Sequence, residues 1–429
     1  MNYRTFLVGL TASLAAARVL VSTGCGGDPS TPSLQAGDGA TGTPDAPIDA
    51  PAAFLFADVS FGVGGVARFS HAADWTGAEF SNALLDPDDS IIVVSTPDKT
   101  THSAELARLT AGGQIDRAFA PSSTGVPTSV GHDVYGLTLD GQGKLVLVGS
   151  NGDASQALRL LPDGTKDPSF NAYVPVGNSF DQAGLGGPVT ESTGSVIACL
   201  SFGSSRGVIR FASNGAAQDV GDGGTAGRTC PNLRLSDGSF LALVNGTVPA
   251  TGGQTAKVVH LTQDLVLDSK FGAPVGDPTT FSSIQGLAAL ESRAFYAVGT
   301  RGVQGVSVAR YTPAGVLDST FAAAGIADLS QTLIGNTSVA LQADGNIVVA
   351  GAAVTKTMDA HMVARVVRLL ASGALDTSFG IGGVAEYDPG TDIDARQVYV
   401  QQSGRIVALG TARDAKGVQD VVAMAFRAH

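Results

Sequence analysis

The sequence predicts an all-β fold, a seven-bladed β-propeller with four strands per blade, and three observations carry that expectation. One set of landmarks recurs from about residue 54 to the C-terminus, its Asp repeating at steps of 58, 51, 52, 49, 50 and 58 residues. Each copy holds a short apolar run bounded by Gly, Asp and Ser, the pattern of a strand and not of a helix. The order of landmarks is permuted between the two ends, which a closed ring requires and an open stack does not.

The apolar runs begin at Ile91, Leu145, Val196, Phe240, Phe295, Ile347 and Ile406. Runs such as Ile91-Ile-Val-Val94 and Leu145-Val-Leu-Val148 are apolar on both alternating faces, so each strand must be covered on both sides. The second landmark is an Arg among apolar residues: Arg108, Arg159, Arg210, Arg310, Arg368 and Arg427, with His260 in its place once. The third is an Asp followed three residues later by Phe, at Asp58, Asp116, Asp167, Asp268, Asp318 and Asp376; Asp219 is the worn copy, with no Phe after it. Turns such as Leu161-Pro-Asp-Gly164 join the second landmark to the third as a hairpin would. Four strands in about 50 residues is the size of one propeller blade.

The chain opens on a lone Asp-Phe element, Asp58 and Phe61, and ends just after a lone Arg427. The N-terminal element is therefore the missing fourth strand of the last copy, and joining the two closes the ring. Arg and Asp stand eight residues apart in Arg108–Asp116, Arg159–Asp167, Arg310–Asp318 and Arg368–Asp376. This constant offset predicts a cross-strand ion pair in each, with Arg427 pairing to Asp58 across the closure. As exposed pairs they would contribute only about 0–1 kcal/mol each, setting register more than stability. The alternative is an Arg that merely sits on a solvated strand face.

These landmarks, above all Ala340-Leu-Gln-Ala-Asp-Gly-Asn-Ile-Val-Val-Ala-Gly351 with Arg368-Leu-Leu-Ala-Ser-Gly-Ala-Leu-Asp-Thr-Ser-Phe379, resemble the bacterial delta-60 repeat family. The resemblance spans about residues 54–429 and implies a propeller. It brings no catalytic residues with it.

Residues 1–24 read as an export signal, Asn2-Tyr-Arg4 followed by the apolar stretch Phe6–Ala17. Ser22-Thr-Gly-Cys25 resembles a lipobox, which makes Cys25 the expected lipidation site; ordinary cleavage after Ala15-Ala-Ala17 is the alternative. Residues 25–53 are rich in Gly, Pro, Asp and Ala, the composition of a flexible tether, and lead into a propeller over residues 54–429. A net charge of −12 argues against nucleic acid and against direct binding to anionic lipid, leaving the lipid anchor as the expected membrane contact. The expected location is the outer membrane or cell surface, alternatively the periplasm or the medium, as a monomer.

Cys199 and Cys230 fall in adjacent blades, and an oxidising compartment permits a disulfide between them; two buried free thiols are the alternative. Gly203-Ser-Ser205-Arg-Gly207 fits a nucleophile-elbow string but lies between two strands with no helix after it, so it reads as a hairpin loop. No catalytic residue is expected. The six His include no pair at metal-ligand spacing, and no metal site or cofactor is expected. Calcium is the one ion with a hint behind it, from Asp86-Pro-Asp-Asp89 and Asp392-Ile-Asp394, which also read as plain turns. His71 and Trp75 sit in the first long insertion, where an aromatic can form part of a binding rim or pack into a blade. The function this points to is a non-enzymatic module that presents loops to a protein or glycan at the cell surface. The alternative is an exported lyase or hydrolase with His, Asp or Glu converging at the mouth of the central channel.

Overall fold

The computed structural model describes residues 56–427, apart from 70–78, 97–103, 120–127, 130–132, 151–154, 171, 173–178, 181–187, 203–204, 220–229, 248–253, 273–280, 302–304, 330–331, 356–359 and 414–418. The described residues form seven small antiparallel sheets and no helix, the seven-bladed propeller expected. No helix among them is long and apolar enough to cross a membrane.

Blade one is built from Glu79–Leu85, Ile91–Thr96, Glu105–Leu109 and Thr128–Ser129. Blade two holds Asp133–Leu139, Leu145–Ser150 and Ser155–Leu160. In blade three, Ser179–Phe180 and Val189–Thr190 share the inner position beside Val196–Phe202, followed by Ser205–Phe211 and Ala217–Asp219. Blade four holds Pro231–Arg234, Phe240–Thr247 and Gln254–Leu261. Blade five runs Ser283–Ala289, Phe295–Thr300, Val306–Tyr311 and Ile326–Asp328. Blade six runs Ile334–Leu341, Ile347–Val354, Met362–Leu369 and Val384–Tyr387. The first strands touch those of the neighbouring blades in an unbroken circuit, so they line the axis.

Blade seven closes the ring. Its own strands are Gln397–Val400, Ile406–Arg413 and Gln419–Phe426, and its outer strand is Val66–Phe69 from the other end of the chain. Val66 lies opposite Met424 and Phe69 opposite Val421.

The doubly apolar second strands follow from this layout. Alternate residues of one strand enter two different joints: Ile91 and Val93 pack against blade seven, while Ile92 and Val94 pack against blade two. The same division separates Ile406 and Ala408, facing blade six, from Val407 and Leu409, facing blade one. Seven apolar clusters result, one per joint.

Removing residues 1–69 takes away the closing strand and leaves Gln419–Phe426 as a bare apolar edge. That truncation is expected to aggregate, whereas removal of residues 1–53 leaves a monomer; size-exclusion chromatography of the two distinguishes them.

Candidate functional site

The repeated landmarks meet at the joints between blades. The Asp of each good copy follows its third strand by one hairpin. The backbone brings it back beside the Arg: Asp116 N donates to Arg108 O at 2.8 Å, and Asp376 N to Arg368 O at 3.0 Å. The side chains then pair. Arg108 Nη2 lies 2.6 Å from Asp116, Arg159 Nη2 2.9 Å from Asp167, Arg310 Nε 3.3 Å from Asp318 and Arg368 Nε 2.8 Å from Asp376. His260 stands in for Arg at 3.1 Å from Asp268.

Two of these pairs are not the exposed ones expected, since Arg159 and Arg368 are each only 3% exposed. Burial of a guanidinium requires that its donors be used. Arg159 also reaches Asp140 at 3.1 Å, Ser169 Oγ at 3.1 Å and Ser213 O at 2.5 Å. Its face lies 4.7 Å from the centre of the Phe170 ring, as Arg368 lies 4.7 Å from Phe379 and Arg108 4.8 Å from Phe119.

The carboxylate's other oxygen holds the loop that carries the Phe: Oδ1 of Asp167, Asp318 and Asp376 accepts from the hydroxyl two residues on, each at 2.6 Å. The Asp167 carboxyl is held below the usual range by Lys144 and then Ser169, Asp318 by the Thr320 hydroxyl, and Asp376 by the Ser378 hydroxyl.

This clasp reaches into the next blade. Arg108 donates to Pro162 O at 2.8 Å, and backbone amides following the Phe do likewise: Gly272 N to Ala314 O at 2.9 Å and Ala322 N to Ser372 O at 2.7 Å. The Phe ring lies flat on the turn glycine of the neighbour. A Cβ on Gly113 would come 2.7 Å from the Phe61 ring, and one on Gly315 2.7 Å from Phe271. Both glycines also have positive φ, of 77° and 75°.

At the closure the pairing differs from expectation. Asp58 is bound not by Arg427 but by Arg405, whose Nε lies 2.6 Å from its carboxylate. Strand register gives the reason. Ile92 faces Arg108 in blade one, so the equivalent partner of Val407 is Ala425, two residues before Arg427. Asp58 N accordingly donates to Ala425 O. With Ala at the Arg position, the cation comes from Arg405, the residue just before the adjacent strand, where blade two has Lys144, 2.8 Å from Asp167. Arg427 bonds Ala57 O instead, at 2.9 Å. The ring is still closed as expected, by a different residue.

Blade three departs from the others. Arg210 turns to Glu191 of its own blade, at 2.7 and 2.8 Å, and Asp219 has no Phe. With no ring arriving from blade three, the turn position in blade four that is Gly113 or Gly315 elsewhere is Leu265, at a φ of 62°. Here, where the clasp is lacking, Cys199 of blade three is bonded to Cys230 at the start of blade four, their Cα atoms 5.7 Å apart. Both are buried.

The remaining candidates separate. Ser205 opens a strand paired to Val196–Phe202, with strand on both sides of the Gly203–Gly207 string; Gly203 and Ser204 lie outside the described residues. So do Cys25, His71, Trp75, His102, His132 and His429. His361 bonds Asp388 at 2.7 Å. Asp394 is used by Arg396 and the Thr411 amide, and Asp392 by the Met362 amide. Among the described residues no three metal-ligating side chains gather.

Asp86 and Asp89 do belong to a site. The first strands of blades six, seven, one and two end at Leu341, Val400, Leu85 and Leu139, and with the turns after them they surround a cavity of about 530 Å³ at the channel mouth. Gln342, Gln401 and Gln402 enter it from the turns. The amide nitrogens of Gln401 and Gln402 are committed to main-chain carbonyls, Asp89 O at 2.8 Å and Pro87 O at 2.5 Å. Burial, and then the neighbouring Asp88, push the Asp86 carboxyl above its ordinary range. The sequence signalled this site only through its acidic turn, read there for calcium; the glutamines gave no signal because a turn Gln is unremarkable until strands bring four blades together.

The chain is similar to a β-propeller family. The matching model is a β-propeller domain of unknown function (DUF5122), over residues 143–170 and 342–379. No curated protein matches. Among solved structures, puromycin hydrolase is 15% identical with a TM-score of 0.46, over 81% of this chain and 52% of that one. The chain thus spans about half of that enzyme's length. The BP39L lectin from Burkholderia pseudomallei is 10% identical with a TM-score of 0.48, covering 85% of this chain and 98% of the lectin. A protein of unknown function from Dyadobacter fermentans is 11% identical with a TM-score of 0.43, over 85% and 100% of the two chains. None of these similarities bears on the chemistry of the mouth.

Three outcomes are expected. Phe61→Ala, emptying the closing clasp, should lower unfolding free energy by about 3–5 kcal/mol in urea titration. The carboxyls of Asp167, Asp318 and Asp376 have folded pKa values below their unfolded ones, so their contribution is full above about pH 4 and is lost as pH falls through the lower folded values. The urea midpoint should drop over that acid range, and less steeply in Asp376→Asn. Cys199→Ala should cost about 2–4 kcal/mol, with hydrogen exchange rising in Val196–Phe202 and Pro231–Arg234 before other blades.

Proposed function

We propose that this chain is an exported binding module whose ligand seats at the mouth of the central channel. The observation that carries the reading is the cavity itself. Its volume of about 530 Å³ lies in the range of small-ligand sites. Aliphatic ends of four strands form its walls, and a few convergent polar groups enter it. A protein side chain or a sugar residue of an envelope glycan fits such a site. The two described His stand away from it, each bonded to an Asp elsewhere.

Export through residues 1–24, with acylation of Cys25 and residues 26–53 as tether, supports the same role, since it would hold a rigid ring at the envelope with its loops free. Intact-mass measurement of the mature N-terminus tests this part: a diacylglyceryl mass on Cys25 is expected, and cleavage after Ala17 would reject it.

The binding reading is tested with the purified protein against a panel of bacterial glycans and envelope proteins. Leu341→Arg, which fills the mouth, is expected to abolish whatever binding the wild type shows. Replacing residues 71–79 should leave it intact. The reverse pattern would move the site to the insertion and overturn the mouth.

A further inference from the structure

We infer that the clasp of blade four is a proton-operated joint. It is complete only while the His260 ring carries a proton on both nitrogens, and blade four loosens from blade five when one leaves. The other described clasps hold a guanidinium, from Arg108, Arg159, Arg310, Arg368 and, at the closure, Arg405. An Arg stays charged throughout, whereas histidine exchanges a proton between about pH 5 and 8.

Donors and acceptors around the ring call for that second proton. Asp268 Oδ2 lies 3.1 Å from Nδ1, and a carboxylate can only accept. Ser239 Oγ lies 2.8 Å from Nε2, and its single proton goes to Asp237 Oδ1 at 2.5 Å, so toward the ring it too accepts. Asp268 and Asp237 both remain carboxylates. The Lys270 amide and then the His260 ring hold the Asp268 carboxyl below its ordinary range. At Asp237 burial opposes, and the Ser239 hydroxyl and then Arg293 outweigh it.

With one proton gone, a ring lone pair faces an oxygen. Either the bond to Asp268 breaks, or the Ser239 hydroxyl swings to the ring and abandons Asp237. The His260 side chain is 13% exposed, so little water reaches in to replace the lost bond. Its ring lies 5.3 Å from that of Phe271, the aromatic seated on Gly315 of blade five, a placing that favours a cation. Asp, His and Ser in this order also make a hydrolytic triad. Here Ser239 is only 4% exposed and its proton is committed to Asp237, so it caps the ring and is no nucleophile.

The charged groups of blade five around this joint are paired or in solvent. Arg293 is held by Asp237 at 2.7 Å, Arg310 and Asp318 hold each other, and Glu291 is exposed. In blade four Lys257, Asp264 and Lys270 are exposed, where salt screens them. The contribution of the clasp is therefore present while the ring is doubly protonated and is lost as pH rises. That is opposite in sense to Asp167, Asp318 and Asp376, whose contribution fades in acid. The joint on the other side of blade four lacks the clasp and is crossed by the Cys199–Cys230 bond.

Hydrogen exchange of the full-length protein at about pH 6 and about pH 8, corrected for intrinsic rate, reads the joint. Imidazole nitrogen shifts, for the ring identified by its proximity to Phe271, read the proton. Wild type should open at Gln254–Leu261 about tenfold more often at the higher pH. His260→Arg should remove that ratio, and so should Asp268→Asn, whose amide can donate to a neutral ring. His361→Gln, at the other described His–Asp pair, should leave it unchanged. Circular dichroism checks that each variant is folded. No ratio in wild type, a ratio that survives His260→Arg, or one that His361→Gln removes equally would overturn the joint. A ring with a single N–H at the lower pH would do the same, and decides the matter on wild type alone if no variant folds.

Discussion

A guanidinium held between a carboxylate and an aromatic ring organises this ring of blades. A blade alone has two apolar faces and no means of fixing its angle to the next, because apolar packing is non-directional. The clasp supplies direction. Its ion pair fixes the third-to-fourth-strand hairpin, the Asp holds the Phe loop, and the Phe and the loop amides land on the neighbour's turn. That landing requires a turn with no side chain at one position, which is why Gly113 and Gly315 sit under Phe61 and Phe271. Arg, Asp, Phe and Gly recur together because they are parts of one contact made across two blades.

Much of this could be read in the chain. The second strands start at the residues their apolar runs announced, since a run covered on both faces has one reading in a repeat of this length. The eight-residue offset encoded the ion pairs, because it is the reach of a tight hairpin. The closing pair failed for a local reason: Arg427 looks like the landmark in composition but lies two residues out of register. Only strand pairing shows that Ala425 holds that position and that Arg405 supplies the charge from the side. Burial of Arg159 was also hidden, since its cover comes from a turn in another blade.

The worn third copy shows the same logic from the other direction. Losing one Phe removes the constraint on the facing glycine, and Leu265 occupies that place. The joint keeps six buried apolar residues among those described, against sixteen between blades six and seven. The covalent link between Cys199 and Cys230 lies across that joint. The channel mouth, by contrast, was nearly silent in sequence. Its groups come from turns of four blades and share no spacing, so only the assembled circuit of first strands brings them together.

The Arg405–Asp58 contact joins residues 347 positions apart. Blades one to six can each assemble from contiguous chain as it appears. The lock waits for the final few dozen residues, because long-range pairing comes late and slowly. Until then the chain is an unclosed arc, its two ends unsatisfied.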